Sequence, residues 1–264
     1  MELNAQTVDI PTADGTMDAY AAWPAAKGPF PLVIMFMDIW GLREELFGLA
    51  RKVAAEGYYC VVPNLYYRRG KLRFERRNAD GRMVSFDTLP QDLQQEMLVL
   101  GRGLTRQMIE TDVTAIFDYA RTQPVSSGPA GTVGFCLGGR IGFFAAQSFP
   151  DRIRATSSLH GTLLVTDAPD SPHRLIDRMK GEVYCGHGEH DRFSEPQILA
   201  ALAAPFARRS DLTYRSSFHA GAHHGYSLPD RDVHDAAATQ IDWRETFAMF
   251  ARQLKSPPAS LAGA

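Results

Sequence analysis

Short, wholly apolar runs alternate along this chain with amphipathic stretches of helical period. The apolar runs lie at Leu32–Phe36, Tyr58–Val62, Thr132–Phe135, Ala155–Leu159 and Val183–Tyr184, each closed by Gly, Pro or a polar turn. Strands buried on both faces read this way, because neither side meets water. Helical patterns occupy Glu44–Ala55, Asp92–Thr122, Arg140–Ser148, Pro196–Arg208 and Ala236–Leu254. The opening segments Gln6–Ile10 and Met17–Trp23, split by Asp14-Gly15, predict a hairpin. A last strand is expected over Leu212–Phe218. Strand–helix alternation predicts an α/β fold, with a mainly parallel central sheet covered by helices on both faces and the site at the strand C-termini.

The pattern predicts one domain over residues 1–255, with 68–106 as the candidate insertion or lid and 256–264 as a flexible, Pro-containing tail. Lys and Arg number 28 against 30 Asp and Glu, so no global field would draw nucleic acid or an anionic membrane. The longest apolar run, Pro31 to Met37, is too short to cross a bilayer. Glu2, Asp9, Asp14 and Asp18 replace the basic start of a secretory leader. The three cysteines, Cys60, Cys136 and Cys185, are odd in number and far apart, which fits a reducing compartment. A cytoplasmic protein is expected, as a monomer or small homo-oligomer, with no membrane or nucleic-acid partner.

The segment Gly134-Phe135-Cys136-Leu137-Gly138-Gly139-Arg140 has the G-x-nucleophile-x-G form between a buried strand and a helical pattern. In such an elbow, small residues two before and two after the nucleophile let the backbones close tightly. The side chain then points out at a helix N-terminus, where the dipole and the next amide favour negative charge. A thiol there is a candidate nucleophile once an imidazole takes its proton; the alternative is a small core cysteine. Downstream stand Cys185-Gly186-His187-Gly188-Glu189-His190-Asp191 and His219-Ala220-Gly221-Ala222-His223-His224-Gly225-Tyr226. They supply an acid and then a histidine in loops after strands, with Asp191 preferred to Glu189, which sits earlier in the Gly-rich turn.

With these residues in view, the chain resembles the dienelactone hydrolase family of the α/β-hydrolase superfamily from about Met17 to Leu254. The matched segments are Met37-Asp38-Ile39-Trp40-Gly41, Val62-Pro63-Asn64-Leu65-Tyr66, Gly134 to Gly139, Gly188-Glu189-His190-Asp191 and Ala222-His223-His224-Gly225-Tyr226. The resemblance implies a Cys136, Asp191 and His224 triad, an oxyanion hole from the amides of Ile39 and Leu137, and Asp38 as an acidic residue modulating the resting thiol. It implies a carboxylic ester or lactone hydrolase of the carboxymethylenebutenolidase type, working through an acyl-enzyme with no cofactor. Three departures stand out. Asp38 replaces a longer glutamate, Leu228 replaces an arginine that holds the substrate carboxylate, and His160 replaces an aromatic.

Three further residues are placed at the substrate: Trp40 as a pocket wall, His160, and Arg68. Arg68 is chosen from the basic cluster Arg68, Arg69, Lys71, Arg73, Arg76, Arg77 and Arg82 to pair with a carboxylate, although such a cluster also reads as a solvated face. His187, His190, Asp191, His219, His223 and His224 could supply three zinc ligands, but their spacing matches no HExxH helix and the triad uses two of them, so no metal is expected. A catalytically silent scaffold that binds a small molecule, or less readily a metal-dependent hydrolase, are the alternatives.

Overall fold

The computed structural model describes residues 1–255, so the tail expected at 256–264 lies outside the described residues. Eight strands form one sheet in the order β1-β2-β4-β3-β5-β6-β7-β8. They are β1 (Leu3–Thr12), β2 (Gly15–Pro24), β3 (Leu32–Phe36), β4 (Tyr59–Pro63), β5 (Ala130–Phe135), β6 (Ile153–Leu159), β7 (Gly181–His190) and β8 (Leu212–His223). The hairpin β1–β2 is antiparallel and β2 meets β4 antiparallel; every other pairing is parallel. Strands β3, β4 and β5 are buried at every position, as their uninterrupted apolar runs require.

Among the described residues the α-helices are α1 (Glu44–Ala55), α2 (Gln91–Gly103), α3 (Arg106–Ala120), α4 (Leu137–Ser148), α5 (Pro196–Phe206) and α6 (Ala236–Phe250). Adjacent residues of β5 show how both faces are covered. A Cβ at Gly131 would strike Phe250, the last residue of α6, and Leu254 just beyond it, whereas Thr132 next to it meets Gly142 of α4. Helix α1 joins α6 on the first face, with Lys52 over the Trp243 ring and Tyr58 edge-on to Phe250. It buries Leu46, Leu49, Ala50 and Val53 at helical spacing and carries Glu44 and Glu45 in its first turn, where the dipole favours acids.

Two expectations need correction. The single helix over Asp92–Thr122 is two, because Thr105 breaks the run and caps α3 by accepting a hydrogen bond from Met108 N. Strands β7 and β8 run further than their apolar stretches, pairing as far as His190 with His223 across a bulge. Glycines 186, 188 and 221 hide this extension, since a residue without a side chain carries no strand periodicity. His219 and His223 therefore sit on β8 rather than in a loop.

The chain between β4 and α3 folds over the C-terminal edge of the sheet. Met83 bonds both ways to the segment after His224, donating to Asp230 O and accepting from Asp232 N. A small apolar cluster of Trp40, Met83, Leu89 and Met97 holds this cover to the loop after β3.

Candidate active site

Cys136 follows β5 and stands at the N-cap of α4 with φ 54° and ψ −116°, a conformation that L residues avoid. The surroundings leave no alternative path: a Cβ at Gly134 would lie 2.0 Å from Gly138 O, and one at Gly138 would lie 2.3 Å from Phe36 O. Cys136 N donates to Leu159 O, and Cys136 O accepts from Gly139 N and Thr162 N. The turn is thus held from β6 and from α4, and the thiol is presented into a cavity of about 490 Å³.

His224 follows β8 directly. Its Nδ1 lies 2.7 Å from Asp191 Oδ2, and its ring lines the cavity together with Cys136. Asp191 follows β7, and its other oxygen accepts from Phe193 N at 2.9 Å. A carboxylate at Nδ1 places the proton on that nitrogen and directs Nε2 to the sulfur. Burial opposes a charge on His224, but the sulfur of Cys136 and the Asp191 carboxylate outweigh it and raise the imidazole to about 10. His223 is exposed, with its ring 4.7 Å from that of His190, and both stand in the cavity lining without an ion pair to Asp191.

Ile39, Trp40 and Leu137 line the same cavity. Trp40 forms a wall, with the Arg231 guanidinium 5.2 Å from its ring centre. Arg231 and Arg140 are two buried cations of the lining that the sequence reading gave no role. Arg231 is 4% exposed, its Nη2 donates to Val84 O and its Nε has no partner. Arg140 donates to Gly101 O while its Nε is likewise unpartnered, and burial lowers its pKa. Arg231 stands seven residues after His224 rather than four, where Leu228 is wholly buried in the core. The signal for Arg231 lay in that spacing, past the proline turn at Pro229.

Three expected site residues sit elsewhere. Arg68 forks onto Asp112 at 2.7 and 3.1 Å and onto Asp14 at 2.6 Å, because a nearly dry carboxylate on α3 claims it. His160 lies behind the cavity rather than in its lining. Its Nε2 is 2.9 Å from Ser227 Oγ and its ring meets His224 edge-on at 5.1 Å. Burial, then the positive charge of His224 and Arg231, holds it neutral. Asp38 is fully buried outside the cavity lining. It takes Arg43 at 2.7 and 3.1 Å and Trp40 N at 3.2 Å. The short side chain folds into its own loop, and Arg43 holds it there.

A sheet of this order, presenting a side chain on a strand-to-helix turn at its C-terminal edge, defines the α/β-hydrolases. Among them the chain belongs to the dienelactone hydrolase family, whose sequence model matches residues 17–254. It is accordingly a hydrolase of ester or lactone bonds. A candidate carboxymethylenebutenolidase of Synechocystis is 27% identical over 97% of this chain and 99% of its own length. The carboxymethylenebutenolidase of Pseudomonas putida is 28% identical over 66% of this chain and 70% of its own. The crystal structure of a candidate dienelactone hydrolase from Klebsiella pneumoniae superposes with a TM-score of 0.80 at 22% identity, covering 96% of this chain and all of that one. At that identity the likeness shows the fold. No helix among the described residues is long and apolar enough to cross a membrane.

Proposed function

We propose that the protein hydrolyses carboxylic esters or lactones through a thioester on Cys136, with His224 as base and Asp191 as its orienting acid. The observation that carries this reading is the Asp191–His224 hydrogen bond in one cavity with Cys136, whose thiol stands on a strained strand-to-helix turn. The thiol proton resides on His224, as the raised imidazole pKa favours, and the sulfur attacks the carbonyl carbon as a thiolate. The amides of Ile39 and Leu137 receive the oxyanion, each donor being worth about 3–4 kcal/mol of transition-state stabilisation. Collapse expels the alkoxide, which His224 protonates. Water deprotonated by His224 then opens the thioester, and the acid leaves with the thiol restored.

The segment over the cavity supports a lid role, since Ser85, Phe86, Gln94 and Leu98 contribute to the lining. Arg102, Arg140, Arg192 and Arg231 face the same space against Asp87 and the already engaged Asp191. That balance favours an ester carrying a negative charge, and it moves the anchoring task from Arg68 to Arg231 and Arg140.

Hydrolysis of a short p-nitrophenyl ester tests the reading. Cys136→Ala and iodoacetamide treatment each abolish turnover with the fold retained, and His224→Ala is far more damaging than His223→Ala. Undiminished turnover in Cys136→Ala would falsify the thiol mechanism. Loss to a chelator with indifference to alkylation is the outcome of a metal enzyme, and an inert wild type across esters and lactones is that of a silent scaffold.

A further inference from the structure

Behind His224 lies a buried polar cluster that the proposed chemistry does not use. Asp242, on α6, is wholly inaccessible. Its Oδ1 accepts Tyr184 OH at 2.6 Å and lies 2.8 Å from His219 Nε2, and its Oδ2 accepts Tyr226 OH at 2.5 Å. Among the described residues no Lys or Arg forms an ion pair with it. A carboxylate stripped of water and held by two phenols and an imidazole is a costly way to fill space, and an apolar side chain would pack there with less loss.

The contacts lead from this carboxylate to the imidazole in the site. Tyr226 stands two residues after His224. Its ring lies between His219, at 5.1 Å, and His160, at 5.5 Å. His160 in turn meets the His224 ring edge-on at 5.1 Å and hydrogen-bonds to Ser227, the next residue of the same loop. The fit around the phenol is close: a Cβ on Gly186 would lie 2.5 Å from both Tyr226 OH and Asp242 Oδ2. The main chain of Tyr226 is tied down as well, its oxygen accepting from Asp235 N and Thr239 Oγ1. The loop bearing His224 is thus pinned at Tyr226 from α6 and at Ser227 from the end of β6.

We infer that Asp242 is a positioning residue for His224, acting through Tyr226 to hold the imidazole against Cys136. It touches neither substrate nor sulfur; it fixes the turn from which His224 projects and the wall of His160 against which that ring rests. Tyr184 bonds to the same carboxylate from within β7, seven residues before Asp191 and outside the loop that carries His224, and supplies the control. The inference rests on the thiol-hydrolase reading, which the His224→Ala control tests separately.

The test compares Tyr226→Phe, Tyr184→Phe and Asp242→Asn, each close in shape to the residue it replaces. Two readouts are taken on the whole protein: kcat and KM for a p-nitrophenyl ester, and the rate of Cys136 alkylation by iodoacetamide at about pH 6.5, which follows the coupling of thiol and imidazole. Tyr226→Phe and Asp242→Asn are expected to lower kcat by about tenfold to a hundredfold, the range for small misplacements, with KM within about twofold. Their alkylation rates fall toward that of His224→Ala, while Tyr184→Phe stays at wild type in both. Equal effects of Tyr226→Phe and Tyr184→Phe, or none from either, overturn the inference. Should Asp242→Asn fail to fold, Tyr226→Phe decides alone, because it leaves the carboxylate two donors. Should alkylation be indifferent to His224→Ala itself, the thiol–imidazole reading fails first, and that result is distinct from a failure of Asp242.

Discussion

Asp38→Asn separates a carboxylate that acts on the thiol from one that holds its loop. Four charges meet at this point with little water: Asp38 at 0% side-chain exposure, Arg231 at 4%, Asp230 at 8% and Arg43 at 11%. Arg43 forks onto both carboxylates, at 2.7 and 3.1 Å to Asp38 and at 2.6 and 3.2 Å to Asp230. Arg231 Nη1 lies 3.9 Å from Asp38. Two cations and two anions cancel. Burial alone would lower the pKa of Arg43, yet its two carboxylates raise it above the ordinary arginine value. The amide leaves one net positive charge in a dry cluster. Breaking a buried pair costs about 3–5 kcal/mol, and the lower end applies here because the amide oxygen still accepts from Arg43 and from Trp40 N. At about 2–4 °C per kcal/mol for a chain of this size, melting should fall by roughly 6–12 °C. Differential scanning calorimetry reads that shift, and iodoacetamide rates at about pH 6 to 7 read the thiol. The expected variant is less stable, with its Cys136 alkylated at the wild-type rate. Faster alkylation without a thermal shift would show the Asp38 charge reaching the sulfur, and the argument from Arg43 would fail.

Arg68→Ala leaves Asp112, 1% exposed, with the Tyr67 hydroxyl in place of its guanidinium fork, so stability should fall by about 3 kcal/mol while kcat/KM holds; a loss of ester affinity in urea-checked, folded variant would return Arg68 to the pocket. Acid should weaken the fold through its buried neutral histidines. Burial pushes His187 down to about 4, so between about pH 6.5 and 4 the unfolded chain takes up a proton that the native state refuses, and stability declines by up to about 3 kcal/mol as pH falls through that window. His187→Gln should flatten the urea midpoint against pH over this range, and an unchanged slope would count against the assignment.

The residues legible in the sequence are those whose geometry is set by their immediate neighbours. Cys136 can be read because a strand, two small residues and a helix start lie within a few positions of it, and the structure builds that turn from those contacts. The apolar runs of β3, β4 and β5 can be read for the same reason: burial on both faces leaves a local mark. The ends of β7 and β8 leave none, because glycine-rich strands pair through their backbones alone.

Charged residues behave differently, because their partners are chosen in space. Arg43 finds Asp230 across 187 positions, and Arg68 finds Asp112 across 44. Nothing near Arg68 in the chain distinguishes a guanidinium that will face a cavity from one that a buried carboxylate will claim. The local composition of 68–82 is basic throughout, and the deciding group sits on α3. The same reasoning explains why Arg231 replaces Arg68 at the cavity wall. Arg43 already forks onto both Asp38 and Asp230, so Arg231 is left with a 3.9 Å approach to Asp38 and a free Nε beside Trp40. A buried cation whose carboxylates are engaged elsewhere is the group with bonding capacity left for an anionic ligand.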